Sequence, residues 1–387
     1  MRYMRAIKVL LHLVITVSLL TGCWNRIEVN DIAIVTAIGL DLVDDDMIRL
    51  SLQVAIPAKL GPAGGAKGGS KERSTFVISE KGVTVSEAYR NLQMKLSRRI
   101  FFSQSRVLLI GEALAKKGIS NIIDFYTRFH QPRMNSFIMF TKGNASDVIK
   151  NIPNLENVSS EETKELAKLS VGIKVYVRDF LNMLLTDGLE PFAPQYKLTS
   201  LEVNTENNSA QVQVINGAAV FKKDKLIGWL DDSETRGLLW LRNEIEEGVI
   251  SIKIPKEKGG GNISFEIIRA DTKIIPHLNN GQIKFNINVT SEIIVIENAS
   301  KVVLFNQKEI DGIQTDIEKE IKDRIQMVLD KAQKEFQSDI FGFGQAVYRE
   351  YPKAWNTIYK KKWDQEFPKL EVTINPKVFV RRIGLSK

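Results

Sequence analysis

The stretch IKFNINVTSEIIVI, residues 283–296, decides the fold of the second half of this 387-residue chain. Apolar and polar side chains alternate strictly over its first part, residues 283–290. Because successive side chains of a strand point to opposite faces of a sheet, this alternation predicts a strand with one buried face and one wet face. Further strand patterns lie at 211–221, 249–254, 263–268 and 370–380. We therefore predict an antiparallel sheet in the C-terminal region.

A long amphipathic helix is predicted soon after this strand, from Gln307 to about Phe336, with Asn306 as its N-cap. Its apolar residues recur every three or four positions and form one stripe: Ile313, Ile317, Ile321, Ile325, Val328, Ala332 and Phe336. A stripe of this kind is buried against another element, and packing on the chain's own sheet is a commoner outcome than binding a partner helix. We expect this helix to cover the C-terminal sheet.

The first half of the chain alternates predicted strands with predicted helices. Apolar runs at 31–43 and 47–56, separated by three aspartates, indicate a hairpin. Residues 57–73 are rich in glycine, alanine and lysine, which predicts a mobile loop. The fold class that follows is α+β, with several domains, mixed sheets and packed helices. We divide it into an N-terminal α/β region at 23–200, with room for two subdomains, and a C-terminal α+β domain at 201–387.

The composition is that of an ordinary folded protein, since 43% of the residues are hydrophobic and 26% are charged. Disordered, collagen-like and multi-span membrane chains are thereby disfavoured. Lysine and arginine number 54 against 46 aspartate and glutamate, a formal charge of +8. A single cysteine allows no internal disulfide, and three histidines add little material for a zinc or iron–sulfur site. We predict no metal and no other cofactor.

The start of the chain is typical of a secretory signal. Arg2, Arg5 and Lys8 precede a mostly apolar run at 9–20, which falls well short of the ~20 residues that span a bilayer. This signal predicts export from the cytoplasm.

The only cysteine of the chain, Cys23, stands directly behind this run. Leu20, Thr21 and Gly22 in front of it resemble the bacterial lipobox. That resemblance implies that residues 1–22 are removed as a lipoprotein signal peptide and that the Cys23 thiol takes a diacylglyceryl group. The alternative is an ordinary or uncleaved signal with a cysteine at its end by chance.

A lipid on Cys23 would keep the protein at the membrane surface. Residues 24–31 separate Cys23 from the first predicted strand, and they reach at most ~26 Å. The chain would then lie outside the cytoplasm, so we expect no nucleic-acid partner. Trp24 and Arg26 lie beside the lipid and are candidates for contact with headgroups or with a membrane partner, since tryptophan suits the membrane interface.

Catalytic motifs are missing from the sequence. His130 and His277 have no second ligand at a metal-binding spacing, and there is no H-E-x-x-H, C-x-x-C, G-x-S-x-G or suitably placed G-x-G-x-x-G. Acidic clusters at 44–46, 231–232 and 246–247 lie in predicted turns or helix ends, where carboxylates act as caps. We predict a protein that is not an enzyme, with a wall-modifying enzyme as a weaker alternative.

Basic clusters are spread along the chain at 98–99, 222–225, 360–362 and 381–382. Scattered clusters of this kind usually form solvated faces. Near a membrane they also attract anionic headgroups, at about 1 kcal/mol per charge.

Six long blocks of the sequence are informative together. They are GCWNRIEVNDIAIVTAIGLD at 22–41, SRRIFFSQSRVLLIGEALAKKGI at 97–119, DFYTRFHQPR at 124–133, GAAVFKKDKLIGWLDDSETRGLLWL at 217–241, GFGQAVYREYPKAW at 342–355 and KWDQEFPKLEV at 362–372. These blocks resemble the spore germination C-subunit lipoproteins, the GerAC or Ger(x)C family of endospore-forming bacteria. They follow the family's order over nearly the whole mature chain. Asn25 is a departure, because an acidic residue is expected there.

The resemblance implies a subunit of a nutrient germinant receptor, without enzymatic activity. Such receptors combine an A subunit, a multi-spanning B subunit and this C-type lipoprotein in the inner membrane of the dormant spore, with the C subunit on the outer face. The family's ectodomain is expected to have three α/β domains of unusual fold. Candidate membrane or partner contacts within the matching blocks are Arg98, Arg99, Phe101, Trp229, Asp231 and Arg236.

A protein of a different class remains as an alternative, namely a solute-binding lipoprotein that delivers a nutrient to a permease. That class predicts two similar lobes of repeated βα units with a cleft between them.

Overall fold

The computed structural model describes residues 2–19, 28–56, 74–129, 131–151, 159–168, 172–201 and 210–384. Leu20, Thr21, Gly22 and Cys23 of the predicted lipobox lie outside these residues, as do Trp24, Arg26, His130 and the predicted loop at 57–73. The apolar run of the predicted signal falls mainly within helix α1 (Arg2–Leu19). None of the described helices combines the length and apolarity needed to cross a bilayer.

The first sheet contains all the strands of the described chain up to residue 230. The elements that follow α1 are β1 (Ile32–Leu42), β2 (Ile48–Ala55), β3 (Thr75–Gly82), α2 (Val85–Gln93), β4 (Arg99–Phe101), β5 (Val107–Gly111), α3 (Glu112–Lys117), α4 (Ser120–Arg128), β6 (Phe137–Thr141), α5 (Ala145–Ile149), α6 (Ser159–Lys168), α7 (Val177–Leu185), β7 (Phe192–Leu201), β8 (Ala210–Lys222) and β9 (Lys225–Leu230). The strand order is β3-β2-β1-β5-β6-β7-β8-β9, with β4 paired to β1.

The predicted hairpin is confirmed at β1 and β2, which pair antiparallel from Val35 opposite Val54 to Leu42 opposite Ile48. The three aspartates form a single 3₁₀ turn, Asp44–Asp46, between the two strands. β1 pairs in parallel with β4 and β5, and β5 with β6. Every residue of β5 and β6 is buried, as expected for parallel strands covered on both faces.

Strands β7, β8 and β9 extend the first sheet toward the C-terminal half. β7 pairs in parallel with β6, and β8 joins β7 antiparallel from Leu201 opposite Ala210 to Phe192 opposite Val220. The division that we drew at 200/201 therefore falls inside this sheet, before the last residue of β7, where β7 pairs with β8.

The second sheet has the order β10-β11-β12-β13. The elements of this part are α8 (Asp232–Arg242), β10 (Val249–Lys253), β11 (Asn262–Asn279), β12 (Gln282–Asn298), α9 (Gln307–Asp330), α10 (Phe343–Glu350), α11 (Pro352–Ala354), α12 (Trp363–Glu366) and β13 (Glu371–Arg382), with π-helical turns at Lys331–Phe336 and Trp355–Tyr359. The alternating stretch lies in β12, where Ile283, Phe285, Ile287 and Val289 are all buried.

The second sheet is mixed, whereas we predicted an antiparallel one. β10, β11 and β12 pair antiparallel, but β13 pairs in parallel with β12. The chain between β12 and β13 runs through α9 to α12. Parallel pairing requires β13 to begin at the same end of the sheet as β12, and a long crossover of this kind returns the chain to that end. The buried alternation specified which face of β12 is covered but not the direction of its neighbour.

The predicted long helix is confirmed as α9, continued by the π-helical turn to Phe336. The Asn306 side chain accepts a hydrogen bond of 3.0 Å from the backbone N–H of Lys308, and the entire predicted stripe is buried. The polar side of α9 also contacts the sheet. Glu318 and Gln314 accept hydrogen bonds of 3.0 Å from the backbone N–H groups of Val378 and Val380 in β13.

Candidate functional site

Among the predicted contact residues, Arg98 precedes β4, Arg99 opens it and Phe101 ends it. Arg99 is level with Ile32 and Phe101 with Ile34, so this segment lies beside the beginning of β1. Arg98 and Arg99 are exposed, and Phe101 is half-buried. Neither arginine has an ion pair with another residue that the structure describes. Their position places two free positive charges beside the part of the chain that leads to Cys23.

Trp229 lies in β9 and makes two contacts with the first half of the chain. Its indole Nε1 donates a hydrogen bond of 3.1 Å to Oε1 of Glu112, and Nζ of Lys142 lies 5.6 Å from the ring centroid. Burial acts to raise the pKa of Glu112, but the hydrogen bonds from Lys116 and Trp229 and the charges of Lys116 and Lys142 together outweigh it, so the pKa is lowered. Trp229 as a whole is half-buried.

Asp231 forms a capping box with Glu234 at the start of α8. Its side chain accepts a hydrogen bond of 2.9 Å from the backbone N–H of Glu234, while the Glu234 carboxylate accepts one of 2.8 Å from the backbone N–H of Asp231. Glu234 also pairs with Lys331 at 2.8 Å. The contacts of Asp231 therefore stabilise the helix terminus.

Arg236 is the least satisfied of the predicted contact residues. Its Nη2 is buried and has no hydrogen-bond partner among the described residues. Burial lowers the pKa of Arg236 and the nearby Arg324 acts in the same direction, whereas Asp232 opposes them. Trp229, Asp231 and Arg236 thus have separate surroundings and make different contacts.

A buried carboxylate that the sequence analysis did not single out organises the junction between the two sheets. Oδ1 of Asp339 accepts hydrogen bonds from the backbone N–H groups of Phe341, Gly342 and Phe343 at 3.3, 2.9 and 3.1 Å. Oδ2 accepts from the N–H of Gly344 and from the indole of Trp363, both at 2.9 Å. Burial raises the pKa of Asp339 to about 6, although these donors act to lower it.

The backbone around Asp339 ties the second sheet to the first. The carbonyl oxygen of Asp339 accepts a hydrogen bond of 2.8 Å from the N–H of Glu190, and the Ser338 hydroxyl donates one of 2.6 Å to the carbonyl of Phe221 in β8. The available signal was the spacing of Asp339, just before the family-like block at 342–355, to Gly342 and Gly344 within it, but a lone aspartate before two glycines defines no known motif.

A cleft of about 370 Å³ opens beside Asp339, between the segments 184–190, 222–223 and 360–367. Two basic clusters that we interpreted as separate solvated faces meet at this cleft. Lys222 pairs with Asp364 at 2.5 Å and with Glu190 at 3.1 Å, and Lys360 pairs with Asp187 at 2.6 Å. These ion pairs join the two halves of the chain. The cleft therefore carries paired charges on its rim and a hydrogen-bonded carboxylate at its base.

The described chain offers no group of three or more side chains placed to hold a metal ion. His277 lies in β11 with its Nε2 at 3.2 Å from Nδ2 of Asn286 in β12. Its surroundings are those of a structural histidine on a sheet.

Comparison with known proteins places the chain in one class. Residues 25–198 match the family described as "Spore germination protein N-terminal domain", and residues 216–384 match "Spore germination B3/ GerAC like, C-terminal". The chain belongs to the GerAC family of spore germination proteins, a family of germinant receptor C subunits, and the resemblance noted in the sequence is confirmed. This is a family of receptor subunits and not a known enzyme family.

Individual relatives cover nearly the whole chain. Spore germination protein KC of Bacillus subtilis (strain 168) is 30% identical over 391 residues, with 96% of this chain and 95% of the relative covered. Spore germination protein A3 of the same organism is 26% identical, with 97% of each chain covered. The crystal structure of the GerBC protein matches the fold with a TM-score of 0.58 at 22% identity, covering 89% of this chain and 97% of that one.

The two sheets do not form the similar lobes expected of a solute-binding lipoprotein. In the described residues one sheet has nine strands and the other four, and their strand orders differ. The α+β class with mixed sheets and packed helices is confirmed by the architecture and by the GerBC fold.

Proposed function

We propose that this protein is the lipid-anchored C subunit of a nutrient germinant receptor. In this proposal Cys23 carries a diacylglyceryl group, residues 1–22 are removed, and the folded chain lies on the outer face of the spore inner membrane. It acts without catalysis, through a complex with an A and a B membrane subunit, and the germination response to small nutrients requires it.

The observation that carries this proposal is the extent of the family match. Two family domains follow each other in the expected order, and KC aligns over 96% of the chain. A match of this length includes the region just after Cys23, where only residues 24–31 separate the thiol from β1. The short tether supports a role close to membrane-embedded partners.

Crosslinking in spore membranes tests the complex. An epitope-tagged copy would be crosslinked in isolated spore inner membranes, and the captured proteins identified. We expect an A-type and a B-type receptor subunit. Recovery of a transport ATPase and a permease in their place would favour the solute-binding alternative.

A deletion strain tests the requirement for nutrient response. Spores without this chain should lose germination in response to the nutrient of their receptor, and the wild-type gene should restore it. Normal germination across a full nutrient panel would contradict the proposal. Germination by a non-nutrient trigger is the control for intact spores, because that route bypasses the receptor.

A further inference from the structure

Arginines precede or open three parallel strands of the first sheet, β4, β5 and β6. β1, β4, β5 and β6 run in the same direction; β4 begins level with Ile32 of β1, and β5 and β6 begin level with Ala37. The starting ends of these strands therefore all lie toward one edge of the sheet. We call this the N-terminal edge and define it by four residues that precede or open β4, β5 and β6: Arg98, Arg99, Arg106 and Arg133.

The four arginines of the N-terminal edge are available for a partner. Arg98, Arg99 and Arg133 are exposed and Arg106 is half-buried. None of them forms an ion pair with a residue in the described part of the chain. Two exposed carboxylates, Glu28 and Asp31, lie on the segment that enters β1, so positive charge exceeds negative charge at this edge.

Two exposed apolar side chains accompany the arginines. Met94 is 71% exposed and Val29 is 59% exposed. Met94 follows the end of α2, where the Gln93 side chain bonds both the carbonyl of Arg98 at 3.0 Å and the N–H of Ile100 at 2.9 Å. Val29 lies three residues before β1. Apolar side chains beside arginines suit the boundary between headgroups and acyl chains.

The tether limits how far this edge can lie from the anchor. Cys23 and Glu28 are five positions apart, so at most about 18 Å of chain separates them. The polar layer of one bilayer leaflet is itself roughly 5–7 Å thick. The start of β1, with Arg99 paired beside it, must therefore stay near the headgroups whenever Cys23 is lipidated.

We propose that the N-terminal edge lies on the membrane and that its arginines bind the phosphate groups of anionic lipids. This inference rests on the proposed lipid anchor at Cys23. A guanidinium presents paired N–H donors that match phosphate oxygens, which makes arginine well suited to this contact. Each charge near an anionic surface contributes about 1 kcal/mol, or about fivefold in population, so the four arginines orient the whole ectodomain.

Site-specific fluorescence on the lipidated chain tests the orientation. Because the chain has a single cysteine, which the lipid occupies, one introduced cysteine can be labelled selectively. One variant is Ser97→Cys, exposed beside Arg98, and the matched control is Glu257→Cys, exposed between Lys256 and Lys258 in the second half of the chain. The labelled proteins are reconstituted in phosphatidylcholine vesicles with phosphatidylglycerol, and a nitroxide-headgroup lipid is used as the quencher.

We expect stronger quenching at Ser97→Cys than at Glu257→Cys, by about threefold or more, since the edge arginines hold one orientation. The difference should shrink in vesicles of phosphatidylcholine alone and at about 1 M salt, where the screening length falls to about 3 Å. Equal quenching at Ser97→Cys and Glu257→Cys, or quenching that does not change with salt concentration and lipid charge, would overturn the proposal. A protein that does not float with the vesicles would show that the anchor itself is wrong.

Charge reversal identifies the residues responsible. Arg98→Glu with Arg99→Glu should lower the quenching at Ser97→Cys at least about threefold. Lys256→Glu with Lys258→Glu changes the net charge equally and should leave it unchanged. Circular dichroism establishes that each variant is folded. If the variant with both arginines reversed does not fold, the salt dependence of quenching at Ser97→Cys in the chain with its native arginines tests the proposal. An equal decrease in quenching in both double variants would refute a specific role of the N-terminal edge in binding anionic lipid.

Discussion

The indole Nε1 of Trp363 donates a hydrogen bond of 2.9 Å to Oδ2 of Asp339, and both side chains are buried where the two sheets meet. This bond completes a set of five N–H donors around one carboxylate. Four of the donors belong to the backbone of the segment that leads into α10. The conformation of that segment therefore depends on one acidic side chain.

Asp339→Asn should destabilise the protein strongly. The amide places an NH₂ group against backbone N–H donors, so buried hydrogen bonds to the carboxyl oxygens are lost, at a cost of roughly 2–4 kcal/mol in the free energy of unfolding. Asp364→Asn is the matched control, because that carboxylate is 64% exposed and its pairing with Lys222 is worth about 1 kcal/mol or less. Urea unfolding measures both. Equal decreases in the free energy of unfolding in the two variants would show that the N–H donors around Asp339 stabilise the protein no more than the exposed ion pair of Asp364 does.

The stability that Asp339 contributes should depend on pH. Its folded-state pKa, about 6, lies above its ordinary value of 3.8, so the folded protein holds the proton over a range in which the unfolded chain has released it. This contribution is present at low pH and is lost as pH rises from about 4 to about 6, by at most about 3 kcal/mol. The difference in unfolding free energy between wild type and Asp339→Asn should therefore shrink as pH rises through this window. A difference that grows would contradict the raised pKa.

Two glycine-to-alanine substitutions in helices should have opposite effects. A Cβ on Gly237 in α8 would lie 2.3 Å from the carbonyl oxygen of Arg324 in α9, so Gly237→Ala forces the two helices apart, at a cost of about 1–3 kcal/mol. Gly312 in α9 is exposed and a Cβ there meets nothing within 4 Å, so Gly312→Ala should stabilise the protein by about 0.5–1 kcal/mol. Thermal unfolding of both variants tests this. A loss of stability in Gly312→Ala would contradict an open environment at that position.

Trp229→Phe separates a structural role from a partner contact. The substitution removes the hydrogen bond to Glu112 and weakens the contact with Lys142, at a cost of about 1 kcal/mol. The pKa of Glu112 should move up toward its ordinary value, because one of the hydrogen bonds that lower it is gone. Carboxylate titration by NMR measures this shift. If the receptor crosslinks disappear while stability and the pKa of Glu112 stay unchanged, Trp229 acts on a partner.

Cys23→Ala should abolish lipid attachment, because the thiol is the acceptor of the diacylglyceryl group. In the wild type, mass spectrometry should find a mature N-terminus that begins at Cys23 and carries the added lipid mass. The variant should lack that mass and leave the membrane fraction. Full membrane retention of a processed Cys23→Ala chain would contradict the anchor.

Elements with their own periodic pattern could be predicted from sequence. Helix α9 with its π-helical continuation to Phe336 occupies the predicted residues, and its stripe is buried as its spacing indicated. The acidic cluster at 231–232, interpreted as a turn or a helix end, lies at the start of α8 and caps it. In these cases the signal is local, because the cap or stripe lies within a few turns of the element that it defines.

The relationships between distant segments could not be predicted in this way. The direction of β13 depends on the crossover through four helices, and the burial of Asp339 depends on Trp363 and on the neighbouring strand β8. Lys222 and Lys360 are 138 positions apart, and only the folded chain brings them to one cleft. A single sequence contains no periodicity that links such positions.

The contact of α9 with β13 has a consequence for the protein on a crowded membrane. Lipid anchoring would confine many copies to two dimensions, where an unpaired outer strand invites a strand from a neighbouring copy to add to the sheet. Glu318 and Gln314 already occupy two alternate N–H groups of β13, those of Val378 and Val380. The helix thereby hinders a strand of a neighbouring copy from pairing with β13. This contact protects the subunit from aggregation at high surface density.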